Sequence, residues 1–395
     1  MKKPFNKVIG IIGGGQLGKM LIESGMPFNL QYNVIDPDIN SPCSKNALNF
    51  INADLYDKVA IEKLATISNV LTYEIEHINT EALAELEQKG FEIIPSSAIL
   101  EIIKDKGKQK QFYTDKNLPT SFYKIVNNPN DYINILNEFK GEKIVAKLCK
   151  GGYDGRGVEI CNKKDILNGR LPFNEPFILE EFVEGCTEIS ILVASDGNQT
   201  ISWKSIQMHF DPHLNLVDYI FSPANISEET ETKASNIAIK AIENLKGKGI
   251  FAVELFLTKN NEILINEIAP RPHNSGHHTI EASFTSQYEQ LNRILLGLPL
   301  GNVDLVKPSA MVNIIGPADF SGDYEIKGLD FALKQQGFYL HLYNKLQSRP
   351  GRKLGHFTVL ANTTSQAIEK AWEIKDKLKI SNFYKNFYIK LIIEI

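Results

Sequence analysis

Two glutamates interrupt otherwise apolar runs late in the chain. Glu254 lies in Ala252-Val253-Glu254-Leu255-Phe256, and Glu267 in Ile263-Leu264-Ile265-Asn266-Glu267-Ile268. Burying a carboxylate is costly unless a partner offsets it. Two strands that each bring a carboxylate, with Asn266 beside one of them, suit magnesium, which takes one or two carboxylates and completes its shell with phosphate oxygens and water. Two structural salt bridges are the alternative. Upstream, Lys147 ends the apolar run Ile144-Val145-Ala146, and Lys150-Gly151-Gly152-Tyr153-Asp154-Gly155-Arg156-Gly157 follows at once. Such a glycine-rich loop can close its amides over phosphate. Lys147 can reach the same phosphate from the strand end; a solvated surface lysine is the alternative. Lysine, metal site and loop together are the parts that neutralise a transferring γ-phosphoryl group. Glu180-Glu181-Phe182-Val183 suits main-chain reading of an adenine edge, and Glu188 suits the ribose hydroxyls.

Directly after Glu267 comes Ile268-Ala269-Pro270-Arg271-Pro272-His273-Asn274-Ser275-Gly276-His277-His278. Arg271 can clamp a phosphate or acyl phosphate with two parallel hydrogen bonds. His273, His277 and His278 lack a supporting Cys or an HExxH pattern, so zinc is not expected. Further on, Lys345 and Arg349-Pro350-Gly351-Arg352-Lys353-Leu354-Gly355-His356 form a basic cluster around a Pro-Gly turn, read as a shaped anion-binding loop rather than a solvated charge run. At the other end, Gly13-Gly14-Gly15-Gln16-Leu17-Gly18 fits G-x-G-x-x-G, and Asp36 closes the next strand. Alone this would indicate a nicotinamide or flavin enzyme. The other motifs favour a close-packed turn that also meets a substrate phosphate, with no NAD.

These groups need elements to hold them. Residues 8–12, a glycine turn, a helix from 16 and a strand at 31–35 open a doubly wound α/β unit. Strands are expected at 69–71 and 92–94, with a helix between them. A lysine-rich helix is expected over 102–113. Strands follow at 144–147, 177–183, 188–195 and 199–208, then a helix over 228–245 and strands at 249–257 and 262–266. A helix near 365–378 and a strand at 387–393 close the chain. The expected domains are 1–103, 104–300 and 301–395. With 395 residues the chain is long enough for two or three cores. A net charge of −4 argues against a nucleic-acid binder. Four scattered cysteines suggest neither a disulfide framework nor a metal site. Without a leader-like start or a membrane-length apolar run, a cytoplasmic protein with no membrane partner is expected.

The order Gly-Gly-Gly-Gln-Leu-Gly, Gly-Gly-Tyr-Asp-Gly-Arg-Gly, Asn-Glu-Ile-Ala-Pro-Arg-Pro-His-Asn-Ser-Gly-His and Arg-Pro-Gly-Arg-Lys-Leu-Gly-His resembles the N5-carboxyaminoimidazole ribonucleotide synthase family of purine biosynthesis, from about residue 8 to about residue 360. The resemblance implies a mixed α/β and α+β ATP-grasp architecture, with an N-terminal Rossmann-like (pre-ATP-grasp) domain and a small C-terminal domain. It implies ATP- and bicarbonate-dependent carboxylation of 5-aminoimidazole ribonucleotide through carboxyphosphate, with closure of the 151–157 loop excluding water. It needs magnesium (or manganese) and no biotin, and implies a homodimer. It assigns Lys106, Lys147, Glu180, Glu181, Val183, Glu188 and Asn266 to ATP, and Glu254 and Glu267 to the metal. Lys147, Asp154, Arg271 and His273 take the reacting groups. Gly15, Gln16, Leu17, Glu74, Tyr153, Arg156, Asn274, Ser275, Lys345, Arg352 and Lys353 take the ribonucleotide. The chain departs from the family at His278, where an aromatic residue, commonly Trp, is usual, at Lys106, where some members have Arg, and over 208–213. The rival readings are another ATP-grasp ligase, a dinucleotide oxidoreductase and a nucleotide sensor without turnover.

Overall fold

The computed structural model describes residues 4–127, 135–152, 157–168, 170, 172–210 and 217–382. Strands β1 (Val8–Ile12), β2 (Gln31–Asp36), β3 (Asn49–Asn52) and β4 (Val70–Tyr73) form a parallel sheet in the order β3-β2-β1-β4. The central strand β1, Val8-Ile9-Gly10-Ile11-Ile12, is the near-continuous apolar run of a strand covered on both faces, whereas the edge strand β3 carries Asn49 and Asn52 at its exposed ends. Helix α1 (Gln16–Gly25) follows β1, α2 (Lys58–Thr66) precedes β4, and α3 (Thr80–Gln88) follows it. Asp57 and Asn79 cap α2 and α3 by accepting from Ala60 N and Ala82 N. The strand expected at 92–94 is reduced to a single bridge, Leu71 to Ile93.

The helix expected over 102–113 is two helices, α4 (Ser97–Ile103) and α5 (Lys106–Asp115). Asp105 breaks it, turning its side chain back to accept from Lys108 N and restart the helix. Next come β5 (Tyr123–Val126), β6 (Lys143–Leu148), β7 (Val158–Asn162) and β8 (Phe177–Glu181), an antiparallel sheet in the order β5-β8-β6-β7.

Opposite it lies a larger sheet. Its first strands are β9 (Thr187–Ser195), β10 (Thr200–Ser202), β11 (Ile206–Phe210), β12 (Val217–Ser222), β13 (Gly249–Leu257) and β14 (Ile263–Ala269). The stretch 199–208, expected as one strand, is β10 and β11. Trp203 and Ser205 between them are buried, with the Trp203 ring nitrogen donating to Thr285 O at 3.1 Å. The sheet continues through β15 (Ser309–Ile315); after the small strand β16 (Tyr324–Lys327) it takes in β17 (Phe338–Leu342) and β18 (Lys353–Leu360), in the order β14-β13-β9-β11-β12-β15-β18-β17 with β10 on β9. β16 pairs instead with β19 (Lys379–Asn382). The strand expected at 387–393 lies outside the described residues.

Alternation along β9 and β13 serves two cores. Ile189, Ile191, Val193, Phe251, Val253 and Leu255 pack against α4, α5 and the helix Glu228–Leu245. Leu192, Ala194, Ile250 and Ala252 face the other way, onto α1 and the helix Gln287–Leu296. Each fully buried aliphatic contributes roughly 1.5–3 kcal/mol. The first α/β unit is therefore fastened to the large sheet through a shared apolar layer, and sites that span both have a rigid floor.

Candidate active site

β13 and β14 run antiparallel with Glu254 opposite Glu267, and a register irregularity falls at Glu254/Leu255. The two acids therefore share one face of the ribbon. Burial pushes the Glu254 carboxyl well up, and the charges of Glu267 and Glu188 push in the same direction. The Lys106 ammonium, paired with Glu267, holds that second carboxyl well down against its burial. Asn266 Nδ2 donates to Glu254 Oε2 at 3.4 Å, and His273 Nε2 stands 3.6 Å from Glu254 Oε1. The two carboxylates repel each other, and their oxygens are the hard donors magnesium prefers. Among the described residues no three His, Cys, Asp or Glu side chains are arranged so that they could hold a metal ion by themselves. A cation held by Glu254 and Glu267 would take its other ligands from phosphate and water.

On the facing sheet, Lys147 Nζ meets Glu180 Oε1 at 3.0 Å and Asn266 Oδ1 at 2.8 Å. It thereby bridges β6, β8 and β14. Glu180 is buried, yet its carboxyl sits at about 2, because Lys147 and Lys110 outweigh the cost of burial. Lys110 Nζ stands 2.8 Å from Glu180 Oε2 and donates to Thr120 Oγ1 at 2.7 Å. Burial brings Lys110 down to about 8. The sequence reading missed Lys110. Its spacing of four from Lys106 on α5 was the available signal, since such residues share a helix face. Glu181 ends β8 and Val183 lies just past it; Glu181 N donates to Phe122 O at 2.9 Å. Glu188, at the start of β9, is raised by burial and by Glu267.

Arg271 follows β14 and points to the first α/β unit, where its Nε meets Glu76 Oε1 at 2.9 Å. Glu76 is a second residue the sequence reading left without a role. His273 Nδ1 pairs with Ser275 Oγ at 2.9 Å, and Ser275 with Ser190 at 3.0 Å. Asn274 and Asn313 exchange two amide bonds of 2.9 Å, which ties this loop to β15. Tyr153, Asp154 and Arg156 lie outside the described residues.

The glycine turn is furnished differently from a dinucleotide site. Glu74 accepts from the amides of Gly15 and Gly18, and Asp36 accepts from Gly14 N at 2.7 Å. The protein's own carboxylates thus occupy amides at the helix start that would otherwise hold a pyrophosphate. Gln16 is half-buried at the start of α1, and Leu17 is buried in the shared core. The basic loop from the far end of the chain comes to this turn. Burial lowers the Lys345 ammonium, while Glu74, Asp36 and Asp38 raise it from nearby. Arg352, whose guanidinium donates to Gln347 O at 2.9 Å, also lies in the field of Asp38. Lys353 begins β18, close enough to depress the buried His277. Of the expected residues, Lys106, Lys147, Glu180, Glu188, Asn266, Glu254, Glu267 and His273 form one cluster. Glu74, Lys345 and Arg352 form a second, and Arg271 reaches from the first toward the second.

Known proteins match this arrangement along nearly the whole chain. The ribonucleotide synthetase preATP-grasp domain matches residues 6–104, the ATP-grasp domain residues 111–288, and the phosphoribosylaminoimidazole carboxylase C-terminal domain residues 309–370. The N5-carboxyaminoimidazole ribonucleotide synthase of Bacillus subtilis (strain 168) is 35% identical over 365 residues, 92% of this chain and 94% of that protein. The crystal structure of N5-carboxyaminoimidazole ribonucleotide synthetase from Thermotoga maritima is 41% identical, with a TM-score of 0.86 over 95% of this chain and 99% of that one. The Aspergillus clavatus N5-carboxyaminoimidazole synthase, solved with ADP and 5-aminoimidazole ribonucleotide, superposes with a TM-score of 0.86 at 30% identity, over 95% of this chain and 99% of that one. Fold, motif order and full-length similarity agree: the chain is an ATP-grasp ligase and belongs to the N5-carboxyaminoimidazole ribonucleotide synthase family.

Proposed function

We propose that this protein converts ATP, bicarbonate and 5-aminoimidazole ribonucleotide to N5-carboxyaminoimidazole ribonucleotide, ADP and phosphate, a step of purine biosynthesis. The observation that carries the reading is the meeting of two clusters. One is an acid–lysine array suited to a triphosphate (Glu254, Glu267, Lys106, Lys147). The other is a cationic pocket at a carboxylate-filled glycine turn (Lys345, Arg352, Glu74), suited to a phosphorylated sugar that carries hydroxyl or amine donors.

Bicarbonate is a poor electrophile until an oxygen becomes a leaving group. A bicarbonate oxygen attacks the γ-phosphorus, the bond to the β-phosphate oxygen breaks, and ADP leaves. The ribonucleotide amine then attacks the carboxyl carbon of carboxyphosphate. The carbon–oxygen bond to phosphorus breaks, and phosphate departs with the amine proton. Magnesium, which Glu254 and Glu267 would hold, would supply Lewis-acid charge to the transferring phosphoryl group. Lys147, fixed by Glu180 and Asn266, brings a positive charge with no reorganisation at the moment of transfer. Arg271 supplies a planar fork for the carboxylate of the mixed anhydride. His273 is anchored through Nδ1 and presents Nε2 to the acid pair. Tyr153, Asp154, Arg156, Asn274, Ser275 and Lys353 would line the ribonucleotide and its reacting amine. Domains at 1–103, 104–300 and 301–395 and a homodimer belong to the same reading. So does a cytoplasmic setting, since phosphorylated metabolites do not cross membranes unaided. No helix among the described residues is long and apolar enough to cross a membrane.

The test is ADP release from ATP and magnesium, with ribonucleotide and bicarbonate supplied together and each omitted in turn, while labelled bicarbonate is followed into product. Label captured in an acid-labile carbamate, in step with ADP and dependent on both co-substrates, is the expected result. ADP release indifferent to the ribonucleotide would overturn the assignment.

A further inference from the structure

The loop that leaves β4 carries two acids two residues apart, and each is fastened to a different part of the molecule. Glu74 is held by the amides of Gly15 and Gly18 at the start of α1. Glu76 meets Arg271 Nε at 2.9 Å, reaching across to the end of β14. The Glu76 and Arg271 side chains are 18% and 20% exposed, so this is not a solvated surface pair. Arg271 stands between Pro270 and Pro272, and the following proline restricts its backbone to extended conformations. Its NH1 also donates to Pro272 O at 3.1 Å. The backbone of the arginine is thus stiff, and the Glu76 charge, 2.9 Å from Nε, draws its guanidinium toward the loop after β4. An arginine acts on an oxyanion through a planar fork, so the orientation of that plane decides whether the fork meets its target.

We propose that Glu76 is the positioning residue for Arg271: by its charge it holds the guanidinium toward the loop after β4 and ties the catalytic arginine to the same loop whose Glu74 walls the ribonucleotide pocket. This rests on the role given to Arg271 under the proposed function. An interdomain ion pair with no such role would contribute only to stability, and a small amount at that.

The experiment is steady-state kinetics of the full-length protein with ATP, magnesium, bicarbonate and aminoimidazole ribonucleotide. The variants are Glu76→Gln, Glu76→Asp, Arg271→Ala and the double variant Glu76→Gln/Arg271→Ala. Glu76→Gln, nearly isosteric, is expected to lower kcat about 10²-fold, with the KM for ATP changed less than about twofold. Glu76→Asp keeps the charge but withdraws the carboxylate, so it folds and still loses about tenfold in kcat. The double variant is expected to be no slower than Arg271→Ala, because the glutamate acts only through the arginine. A Glu76→Gln enzyme with native kcat, or a double variant in which the two losses multiply, would overturn the inference and leave the role of Arg271 standing. Native turnover in Arg271→Ala would instead overturn the reading on which the inference depends.

Discussion

Glu180 shows how a buried acid can serve without being a ligand for metal. Two lysines and Ser121 Oγ, 2.8 Å from Oε2, surround it, so its charge is matched where water is absent. Removing Lys110 leaves Lys147, of the two lysines paired with Glu180, to balance it alone and draws it away from the phosphate side. Lys110→Met should cost about 3 kcal/mol in urea unfolding, the low end for breaking a buried pair that keeps one partner. It should also raise the KM for ATP severalfold; a variant with native stability would show that Lys147 alone suffices. At the acid pair, Glu267→Gln removes a hard oxygen donor and leaves Lys106 beside a neutral amide. Turnover should fall about 10²-fold, and the magnesium needed for half-maximal rate should rise. An unchanged magnesium dependence would remove Glu267 from the metal. Glu254, Glu267, Lys147 and Arg271 were legible in the sequence because each breaks a local rule, a charge in an apolar run or among prolines. Lys110 and Glu76 break none. Their importance comes from partners 70 and 195 positions away (Glu180 and Arg271), and the one local hint, for Lys110, is its helical spacing from Lys106.

At the level of elements, the glycine turn is a socket for a side chain as much as a phosphate loop. A Cβ built on Gly15 would stand 2.5 Å from Glu74 Oε1, although Gly15 has an ordinary extended backbone (φ −78°). Glycine is needed there for close approach rather than for backbone freedom. Gly15→Ala should dislodge Glu74, raise the KM for the ribonucleotide at least about tenfold, and leave the KM for ATP near native. Equal losses for both substrates would mean that the turn supports the fold rather than the pocket. The strand–turn–helix pattern was readable because period-2 and period-3.6 stretches abut at glycines. What it could not reveal was the occupant of the turn. The break between α4 and α5 was hidden for a related reason. The lysine-rich periodicity runs across it, and the evidence for a restart is a single aspartate that turns its side chain back onto the chain.

The whole molecule is organised by one sheet that gathers strands from residue 187 to residue 360 and seals three imidazoles at its junctions. His356 on β18 stacks with His341 at 4.6 Å and meets the His277 ring at a tilt, 4.7 Å between centroids, while Tyr343 and Tyr288 bond to the Nδ1 atoms of His356 and His277. Burial holds His277 and His356 far below the usual histidine range, and neighbouring cations push the same way. Burial also brings the adjacent His278 down to about 4, despite its 3.0 Å contact with Ser275 O. A depressed folded-state value has a definite sign. As pH falls below about 6.5 the unfolded chain binds a proton that the folded site refuses, so stability declines until about pH 4. For His278 the full window corresponds to about 3 kcal/mol. Glu74, Glu188 and Glu254 are raised and act in the opposite sense over overlapping pH, so the total curve is not diagnostic. A difference between two proteins is, because those terms cancel. His278→Phe keeps an aromatic ring and removes one titrating group. The stability of the native protein relative to this variant, from urea unfolding at several pH values, should therefore fall steadily from pH 6.5 toward pH 4.5, at up to about 1.4 kcal/mol per pH unit. A difference that stays flat across that range would mean that His278 takes its proton in the folded state without penalty, and that the loop between β14 and the helix Gln287–Leu296 opens to water.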